Sequence, residues 1–264
     1  MDKQPFNEKK STSNHTTDKK NKKKSFGFKK FFLALLTLFI VVFLGVGCGL
    51  VAIGLDGDKD VSDIHPPASS QILDMNGNLI TNIHATENRT LVTLDKIPAN
   101  LQNAFIAVED NRFYEHNGID PKGIFRAIYS NLTSGEVAEG GSTITQQLAK
   151  NAFLSQDRTF KRKIQEFFIA LRLERQYTKE EILEMYLNQI YFGRGAYGVQ
   201  AAAQTYFGKD VSQLDLSECA MLAGIPRSPN YYSPLNNLGA ANERKAEVLD
   251  QMVKYGYIDS TTAA

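Results

Sequence analysis

The sequence predicts a mainly α-helical domain, preceded by a small β element and by one N-terminal transmembrane helix. Three observations support this fold class. Residues 31–55 contain no charged residue, two short strand-like segments flank the Asn-Gly pair at 76–77, and apolar residues from position 98 onward recur three and four apart. The chain has 264 residues, of which 42% are hydrophobic and 22% are charged, a balance typical of a globular protein.

The charge of the chain is distributed unevenly around the uncharged segment. Residues 1–30 hold ten lysines against three acids, a net charge of +7, so the remaining residues together carry −6. At about 1.5 Å per residue, a helix over 31–55 is about 37 Å long, enough to cross a hydrocarbon core of about 30 Å. Because lysine-rich flanks stay in the cytoplasm, we predict a cytoplasmic basic tail over 1–30, an anchor over 31–55 and an exported remainder.

Two other interpretations of the apolar segment remain open. A cleaved signal peptide has a shorter apolar region of about 7–15 residues and an Ala-x-Ala-like exit, and neither feature is present. A lipoprotein signal is suggested only loosely by "LGVGC", since Gly45 occupies the place where a leucine is expected before Cys48. The second cysteine, Cys219, lies in the exported part. We therefore expect no disulfide between the two, and a domain that is stable through its core.

The exported part begins with a linker and short strands. Residues 56–69 contain Pro66, Pro67 and a run of Asp and Gly, which is typical of a linker. Residues 71–83 predict a hairpin that turns at 76–77, and 89–94 predict a third strand. From 70 to 264 we expect one folded domain.

The first long helix is predicted to deliver an acidic pair to its C-terminal end. Pro98 suits a first helical position. Leu101, Phe105 and Val108 form an apolar stripe that reaches as far as Glu109, which is followed directly by an aspartate. We expect Glu109 to be partly buried, since the stripe ends beside it.

Two later helices carry the signature of a capping box at their N-termini. Thr143 and Gln146 have the required spacing, and so do Thr178 and Glu181. The second of these helices is expected to stop at Gly193.

The helix between them has two predicted faces, and two further helices are expected over residues 212–225 and 243–258. Arg162 and Glu166 are four residues apart and should share a face other than the buried stripe. The predicted buried stripe consists of Phe160, Ile164, Phe167 and Leu171.

Four stretches contain more polar chemistry than folding requires: "VEDNRFYEHNG" at 108–118, "EGGSTITQQLAKN" at 139–151, "KRKIQE" at 161–166 and "YLNQIYFGRGAYG" at 186–198. Taken singly, each has a structural explanation. Glu109 could be a solvated helix-end carboxylate, and Arg162–Glu166 an ordinary surface pair that contributes a few tenths of a kcal/mol. His116 has no second His or Cys at metal-ligand spacing, which favours a structural role.

Taken together, these stretches resemble the successive motifs of the peptidoglycan glycosyltransferases, glycosyltransferase family 51. In chain order the matching segments are "EDNRFYEHNGID", "GGSTITQQLAKN", "RKIQE", "ILEMYLNQIYFG" and "MLAGIPRSPNYYSP". The resemblance covers residues 70–255. It implies a lysozyme-like helical fold in which the second motif lines the cleft, and it explains why that motif is so polar.

The resemblance also implies a reaction, in which lipid II is polymerised into β-1,4 glycan with inversion at the donor sugar and release of undecaprenyl diphosphate. It implies that Glu109 is the general base, that Lys150, Arg162 and Lys163 hold the donor's diphosphate, and that Glu166 orients these cations. A divalent cation, Mg²⁺ or Mn²⁺, is expected near Asp110 or the diphosphate, and no organic cofactor is expected. The residues expected to contact substrate are Asp110, Phe113, Ser142, Thr143, Gln146, Gln147, Lys150, Arg162, Lys163, Asn188 and Tyr191.

The expected partners are lipid II, the nascent glycan strand, the membrane and other cell-wall synthesis and division proteins, with no nucleic acid. Two alternatives stay open: a membrane-anchored lytic transglycosylase or muramidase, and a non-catalytic wall-binding protein. The cationic cluster favours synthesis over cleavage, because cleavage has no diphosphate to bind. No Ser-x-x-Lys and no Lys-Thr-Gly occurs in the sequence, so a penicillin-binding half is not recognisable.

Overall fold

The computed structural model describes residues 61, 70–73, 75–76, 79–83, 88–134, 140–154, 157 and 159–263, with eight isolated positions between 32 and 49. The chain divides into two compact units, Met1–Leu50 and Val51–Ala264. In the first unit, the eight described positions are helical. The predicted tail over 1–30 lies outside the described residues, as do most of the predicted anchor and linker. Among the residues that are described, no helix has the length and apolar character needed to cross a membrane.

The predicted hairpin is present at the start of the second unit. Strand β1 (Ser70–Leu73) pairs antiparallel with β2 (Leu79–Ile83), and Ser70 lies opposite Ile83. A second, smaller pairing joins β3 (Asn88–Arg89) to β4 (Ala196–Tyr197) in parallel, so residues distant in sequence meet beside the helices.

Helices make up most of what is described of the domain, as the sequence predicts. The α-helices are α1 (Ala99–Glu109), α2 (Pro121–Ser134), α3 (Ile144–Phe153), α4 (Phe160–Gln176), α5 (Lys179–Gln189), α6 (Val199–Phe207), α7 (Leu216–Gly224), α8 (Leu238–Lys254) and α9 (Ser260–Ala263). Short 3-10 turns lie at Leu94–Lys96, Phe113–Glu115, Val211–Gln213 and Ile225–Arg227.

The core forms where two groups of helices meet around α1. Helix α1 packs against α7 and α8, whereas α3 packs against α4 and α5. Phe105 of α1 is fully buried and contacts Tyr186 and Phe192 edge-on, with ring centroids 5.9 Å and 6.1 Å away. Cys219 of α7 is a free, buried cysteine, and burial raises the pKa of its thiol to about 12. This thiol is part of the core and is poorly suited to act as a nucleophile.

Both predicted capping boxes are confirmed. Thr143 accepts a hydrogen bond from the backbone N–H of Gln146, whose side chain accepts one from the backbone of Thr143. Thr178 and Glu181 make the same reciprocal pair at the start of α5. Local side-chain spacing therefore determines where α3 and α5 begin.

The predicted buried stripe of α4 is wrong in part. Ile164 is buried, but Phe160 is 77% exposed and Phe167 is 39% exposed. The buried face of α4 includes Glu166, with Ile169 beside it. The inner face of α4 therefore includes the carboxylate of Glu166, which is tolerated there because it is paired with Arg162 and Lys163.

The expected third strand over 89–94 and the expected helix stop at Gly193 are also corrected. Of residues 89–94, only Arg89 lies in a strand. The side chain of Asn188 replaces a strand partner: its Oδ1 accepts from Val92 N–H at 3.0 Å and its Nδ2 donates to Val92 C=O at 2.8 Å. Helix α5 ends at Gln189, and Gly193, at φ +87°, turns the loop that follows.

Candidate active site

The carboxylate of Glu109 lies half-buried at the C-terminal end of α1, where the apolar stripe was expected to deliver it. Gln147 of α3 donates from Nε2 to Glu109 Oε2 at 2.7 Å. The hydroxyl of Tyr186, which is fully buried, lies 3.4 Å from Gln147 Oε1. This contact orients the amide so that its N–H groups face the carboxylate. Glu109 therefore has a defined position and still has lone pairs available for a proton.

The neighbouring acid, Asp110, is buried and engaged on several sides. Its two carboxylate oxygens lie 3.0 Å and 2.9 Å from His116 Nε2, and Oδ2 also accepts from the backbone N–H of Ile144 at 3.0 Å. A carboxylate can only accept, so Nε2 is the protonated nitrogen of His116. Asp110 thus links the end of α1 to the first turn of α3, where negative charge is favourable. His116 has the structural role that was predicted.

The first turn of α3 explains part of the polarity of its sequence. Thr143 and Gln146 are buried and occupied by the capping box, and the Thr143 hydroxyl also donates to Gly118 C=O at 2.7 Å. Thr145 donates to Glu174 at 2.6 Å. These side chains hold the helix in place. Ser142, Gln147 and Lys150 are not taken up by the cap, and Thr143 also lines the cavity beside Glu109. Contact of these side chains with a ligand stays a prediction.

The predicted basic cluster is assembled around Glu166. Arg162 Nε lies 2.9 Å from Glu166 Oε1, and Lys163 Nζ lies 2.8 Å from Glu166 Oε2. The Glu166 side chain is only 3% exposed, while that of Lys163 is 46% exposed. Lys163 also donates to Ser142 Oγ at 2.9 Å, which connects α4 to the segment before α3. Glu166 therefore forms ion pairs with both cations, and the orienting role that the resemblance implies for it stays a prediction.

Lys150 belongs to the same electrostatic environment. Burial lowers its pKa below that of an ordinary lysine, and the positive charges of Arg162 and Lys163 lower it further, against the opposing effects of Glu166 and Glu109. A half-buried ammonium next to two other cations is poorly compensated. It would be stabilised by a bound anion.

A cavity of about 140 Å³ opens beside Glu109. On one side it is lined by the end of α1 and by Asp120, and Gly140, Gly141 and Ser142 form part of its edge. Asp120 is held by an ion pair with Arg112. Lys150, Arg162 and Lys163 do not line this cavity. Glu109 therefore faces the cavity while also bonding, through Gln147, to the helix that carries Lys150.

Three predicted contact residues lie elsewhere. Phe113 is fully buried, with Lys179 Nζ 4.4 Å from its ring centroid, so contact with a ligand would require it to leave the core. Asn188 is 5% exposed and committed to the 88–93 segment. Tyr191 is 40% exposed and lies against Tyr197, with centroids 4.7 Å apart. None of these three lines the cavity beside Glu109.

The surroundings of Asp110 do not fit a resident metal ion. Its oxygens are already bonded to His116 and to the Ile144 amide. Across the part of the chain that the structure describes, no group of three or more His, Cys, Asp or Glu could hold one. A cation carried by a bound diphosphate stays a prediction.

Other residues at the cavity were missed by the sequence analysis. Four further residues line it: Arg227, Arg244, Gln251 and Tyr255. Arg227 falls within "MLAGIPRSPNYYSP", the fifth matching segment, and its position between two Pro-containing turns was the available signal. The other three belong to α8 and the turn after it, where no local pattern distinguishes them from surface residues.

The comparison with known families matches this arrangement of motifs. The family described as Transglycosylase matches residues 76–253 of the chain, which is more than half of its length. The chain belongs to the transglycosylase family. The match lies inside the domain predicted over 70–264, and it confirms the family resemblance drawn from the five motifs.

Named relatives of this transglycosylase are penicillin-binding proteins. It is 47% identical over 239 residues to penicillin-binding protein 1F of Bacillus subtilis (strain 168), which covers 89% of this chain and 33% of the relative. It is 48% identical over 234 residues to penicillin-binding protein 1A of Escherichia coli (strain K12), covering 88% and 27%. The chain thus spans about a third or less of these relatives.

A solved structure is also similar to this transglycosylase. The crystal structure of penicillin-binding protein 1A from Haemophilus influenzae has 28% sequence identity to it and a TM-score of 0.44, covering 75% of this chain and 20% of that one.

Proposed function

We propose that this transglycosylase domain polymerises lipid II into β-1,4-linked glycan strands of peptidoglycan. The observation that carries the proposal is a positioned carboxylate, Glu109, close to a basic cluster of Lys150, Arg162 and Lys163 that is organised by the buried Glu166. Glycosyl transfer from a sugar diphosphate needs both parts: a group that takes a proton and fixed positive charge that receives the leaving group.

Glu109 acts as the general base in this proposal. The 4-hydroxyl of the acceptor's GlcNAc attacks C1 of the donor's MurNAc and its proton passes to Glu109. The new O–C1 bond forms as the bond between C1 and the diphosphate oxygen breaks, so the α-linked donor gives a β-linked product. The hydrogen bond from Gln147 at 2.7 Å holds the Glu109 carboxylate in a defined position.

The basic cluster receives the departing diphosphate. Its three cations are offset by the one carboxylate of Glu166, which leaves a net charge of about +2, comparable to the roughly two negative charges of a diphosphate. Arg162 presents a planar group suited to bidentate phosphate contacts, whereas Lys150 and Lys163 act as point charges. A divalent cation would add to this charge, and removing it with a chelator tests whether activity depends on one.

We also propose that the domain works at the outer surface of the cell membrane. Phe125, Tyr129 and Leu132 lie on one face of α2 and are more than 70% exposed, and Phe160 is similarly exposed. Exposed apolar side chains in such a group fit contact with lipid. The lysine tail predicts that residues 1–30 stay in the cytoplasm. Protease added outside intact cells should therefore digest residues 56–264 and spare the tail, and a protected domain would contradict this orientation.

Labelled lipid II distinguishes the proposed activity from the two alternatives. A polymerase converts it into long glycan that a muramidase then digests back to disaccharide units. A lytic enzyme forms no polymer but releases fragments from purified sacculi. A wall-binding protein binds either material without changing it. Failure of the folded protein to polymerise lipid II would refute the proposed function.

A further inference from the structure

The lining of the cavity beside Glu109 also includes a group of hydrogen-bond donors. Arg227 comes from the 3-10 turn Ile225–Arg227, and Arg244 and Gln251 come from α8. The mechanism proposed above uses none of them. They line the same cavity as Glu109, whereas the members of the basic cluster do not line it.

The side chains of Arg227, Gln251 and Arg244 have hydrogen-bond donors that are available to a ligand. Within the described residues, the side chains of Arg227 and Gln251 have no hydrogen-bond or ion-pair partner. Arg244 is 9% exposed and donates from Nη1 to Glu247 at 2.6 Å, but its buried Nε has no hydrogen-bond partner. The guanidinium of Arg244 also lies 6.0 Å from the ring centroid of Tyr232, and this contact helps to fix its position.

The charge of the cavity decides which kind of anion fits. Its described lining includes three acids and three arginines, so it has no large positive excess. Asp110 is bonded to His116, Asp120 is paired with Arg112 and Arg244 with Glu247, and Arg126 has an interaction of its own. Among the described lining residues, this leaves Glu109 and Arg227 as the charges without an ionic partner. Such a cavity suits one carboxylate together with neutral hydroxyl and amide groups. A diphosphate, with about two negative charges, is better matched by the basic cluster.

Resting on the proposed function, we infer that Arg227 and Gln251, supported by Arg244, bind a carboxylate on the peptide arm of the substrate. In lipid II the peptide is attached to the sugar next to the reacting groups, and its carboxylates are the remaining anions once the diphosphate is placed. Arginine offers paired donors that match a carboxylate. The cavity is then a specificity site for the peptide as well as a place for the sugar.

The test compares two substrates on three proteins. Lipid II with free peptide carboxylates and lipid II with those carboxylates amidated are polymerised by the wild type, by Arg227→Gln and by Arg175→Gln. Arg175 is an exposed arginine on α4 that does not line the cavity, so its replacement controls for the loss of one positive charge. Thermal unfolding confirms that both variants are folded.

We expect the wild type and Arg175→Gln to favour the free carboxylates by about tenfold in kcat/KM, as for one charge-assisted hydrogen-bonded pair. Arg227→Gln should bring that preference close to one, mainly by raising KM for the free-carboxylate substrate. An equal loss on both substrates would show that Arg227 binds the diphosphate, and an unchanged preference would show that it binds no carboxylate; either overturns the inference. A wild type that polymerises neither substrate refutes the proposed function instead.

Discussion

Replacing Glu109 with Gln removes a carboxylate from the end of α1 and keeps the size of the side chain. The structure indicates that the fold tolerates this change. The group is half-buried, and the side-chain hydrogen bond that it accepts from Gln147 can be accepted equally by the carbonyl oxygen of the new amide. We expect the free energy of unfolding to change by less than about 1 kcal/mol.

The effect of Glu109→Gln on the reaction should be much larger. An amide cannot take a proton from the attacking hydroxyl, and loss of a general base costs about 10²–10⁴-fold in rate. At about 1.36 kcal/mol per tenfold, this raises the barrier by about 2.7–5.4 kcal/mol. Binding of the diphosphate should be nearly unchanged, because the cations that hold it remain paired with Glu166.

The matched variant, Glu166→Gln, should behave differently. Its side chain is 3% exposed and makes ion pairs with Arg162 and Lys163. Breaking a buried pair leaves uncompensated charge, and since Lys163 is half in solvent we expect a loss of about 2–4 kcal/mol of stability. The displaced cations should also bind the diphosphate less tightly. This variant therefore loses stability and affinity together, whereas Glu109→Gln loses rate alone.

Three measurements on each purified variant separate these effects: the rate of glycan formation from fluorescent lipid II, the affinity for a phosphoglycolipid inhibitor such as moenomycin, and the unfolding free energy in denaturant. A folded Glu109→Gln variant that polymerises at nearly the wild-type rate would show that Glu109 is not the base. Equal losses of moenomycin affinity in Glu109→Gln and Glu166→Gln would show that Glu109 is not confined to proton transfer and Glu166 to diphosphate binding.

Two further predictions follow from single side chains. Burial lowers the pKa of Lys150, so affinity for moenomycin should fall as the pH rises through that lowered pKa, at a lower pH than for an ordinary lysine. Lys150→Arg should abolish this fall, because arginine stays charged. A fall that persists in this variant would contradict the assignment of Lys150 to diphosphate binding. Asn188→Ala removes hydrogen bonds to Val92 N–H, Val92 C=O and Glu184 C=O. The unfolding free energy, measured in a denaturant titration, should therefore drop by about 2–4 kcal/mol. A loss below about 1 kcal/mol would show that other contacts hold the segment around Val92.

The features that the sequence predicted well depend on nearby residues. The capping box joins Thr143 to Gln146, three positions on, and the innermost pair of the hairpin, Leu73 and Leu79, is six positions apart, so short spacing determines the local geometry. Glu109 was placed correctly because it follows an apolar stripe on its own helix. The basic cluster was predicted by resemblance, and its internal pairing by the four-residue spacing of Arg162 and Glu166.

The features that were missed depend on contacts between distant segments. Hydrophobic periodicity assigned Phe160 and Phe167 to the core, because it has no means of recognising that a charge-paired Glu166 occupies the inner face. The hydrogen bonds of Asn188 to Val92, 96 residues away, leave no local pattern from which they could have been predicted, whereas its contact with substrate was implied by the resemblance and stays a prediction. Arg244 and Gln251 belong to the last long helix, and only the tertiary fold brings them to the cavity that Glu109 lines.

The bonds between Asp110 and the Ile144 amide and between Gly118 and Thr143 fasten the two ends of one excursion of the chain. Of the described residues between these contacts, Asp120 and residues 140–142 line the cavity, whereas Phe125, Tyr129 and Leu132 form an exposed face of α2. The Asp110–Ile144 contact spans 34 positions, and substitutions confined to that exposed face change neither this contact nor the cavity lining. The domain can therefore vary the surface it presents to its surroundings in evolution, or in the laboratory, without rebuilding its reaction centre.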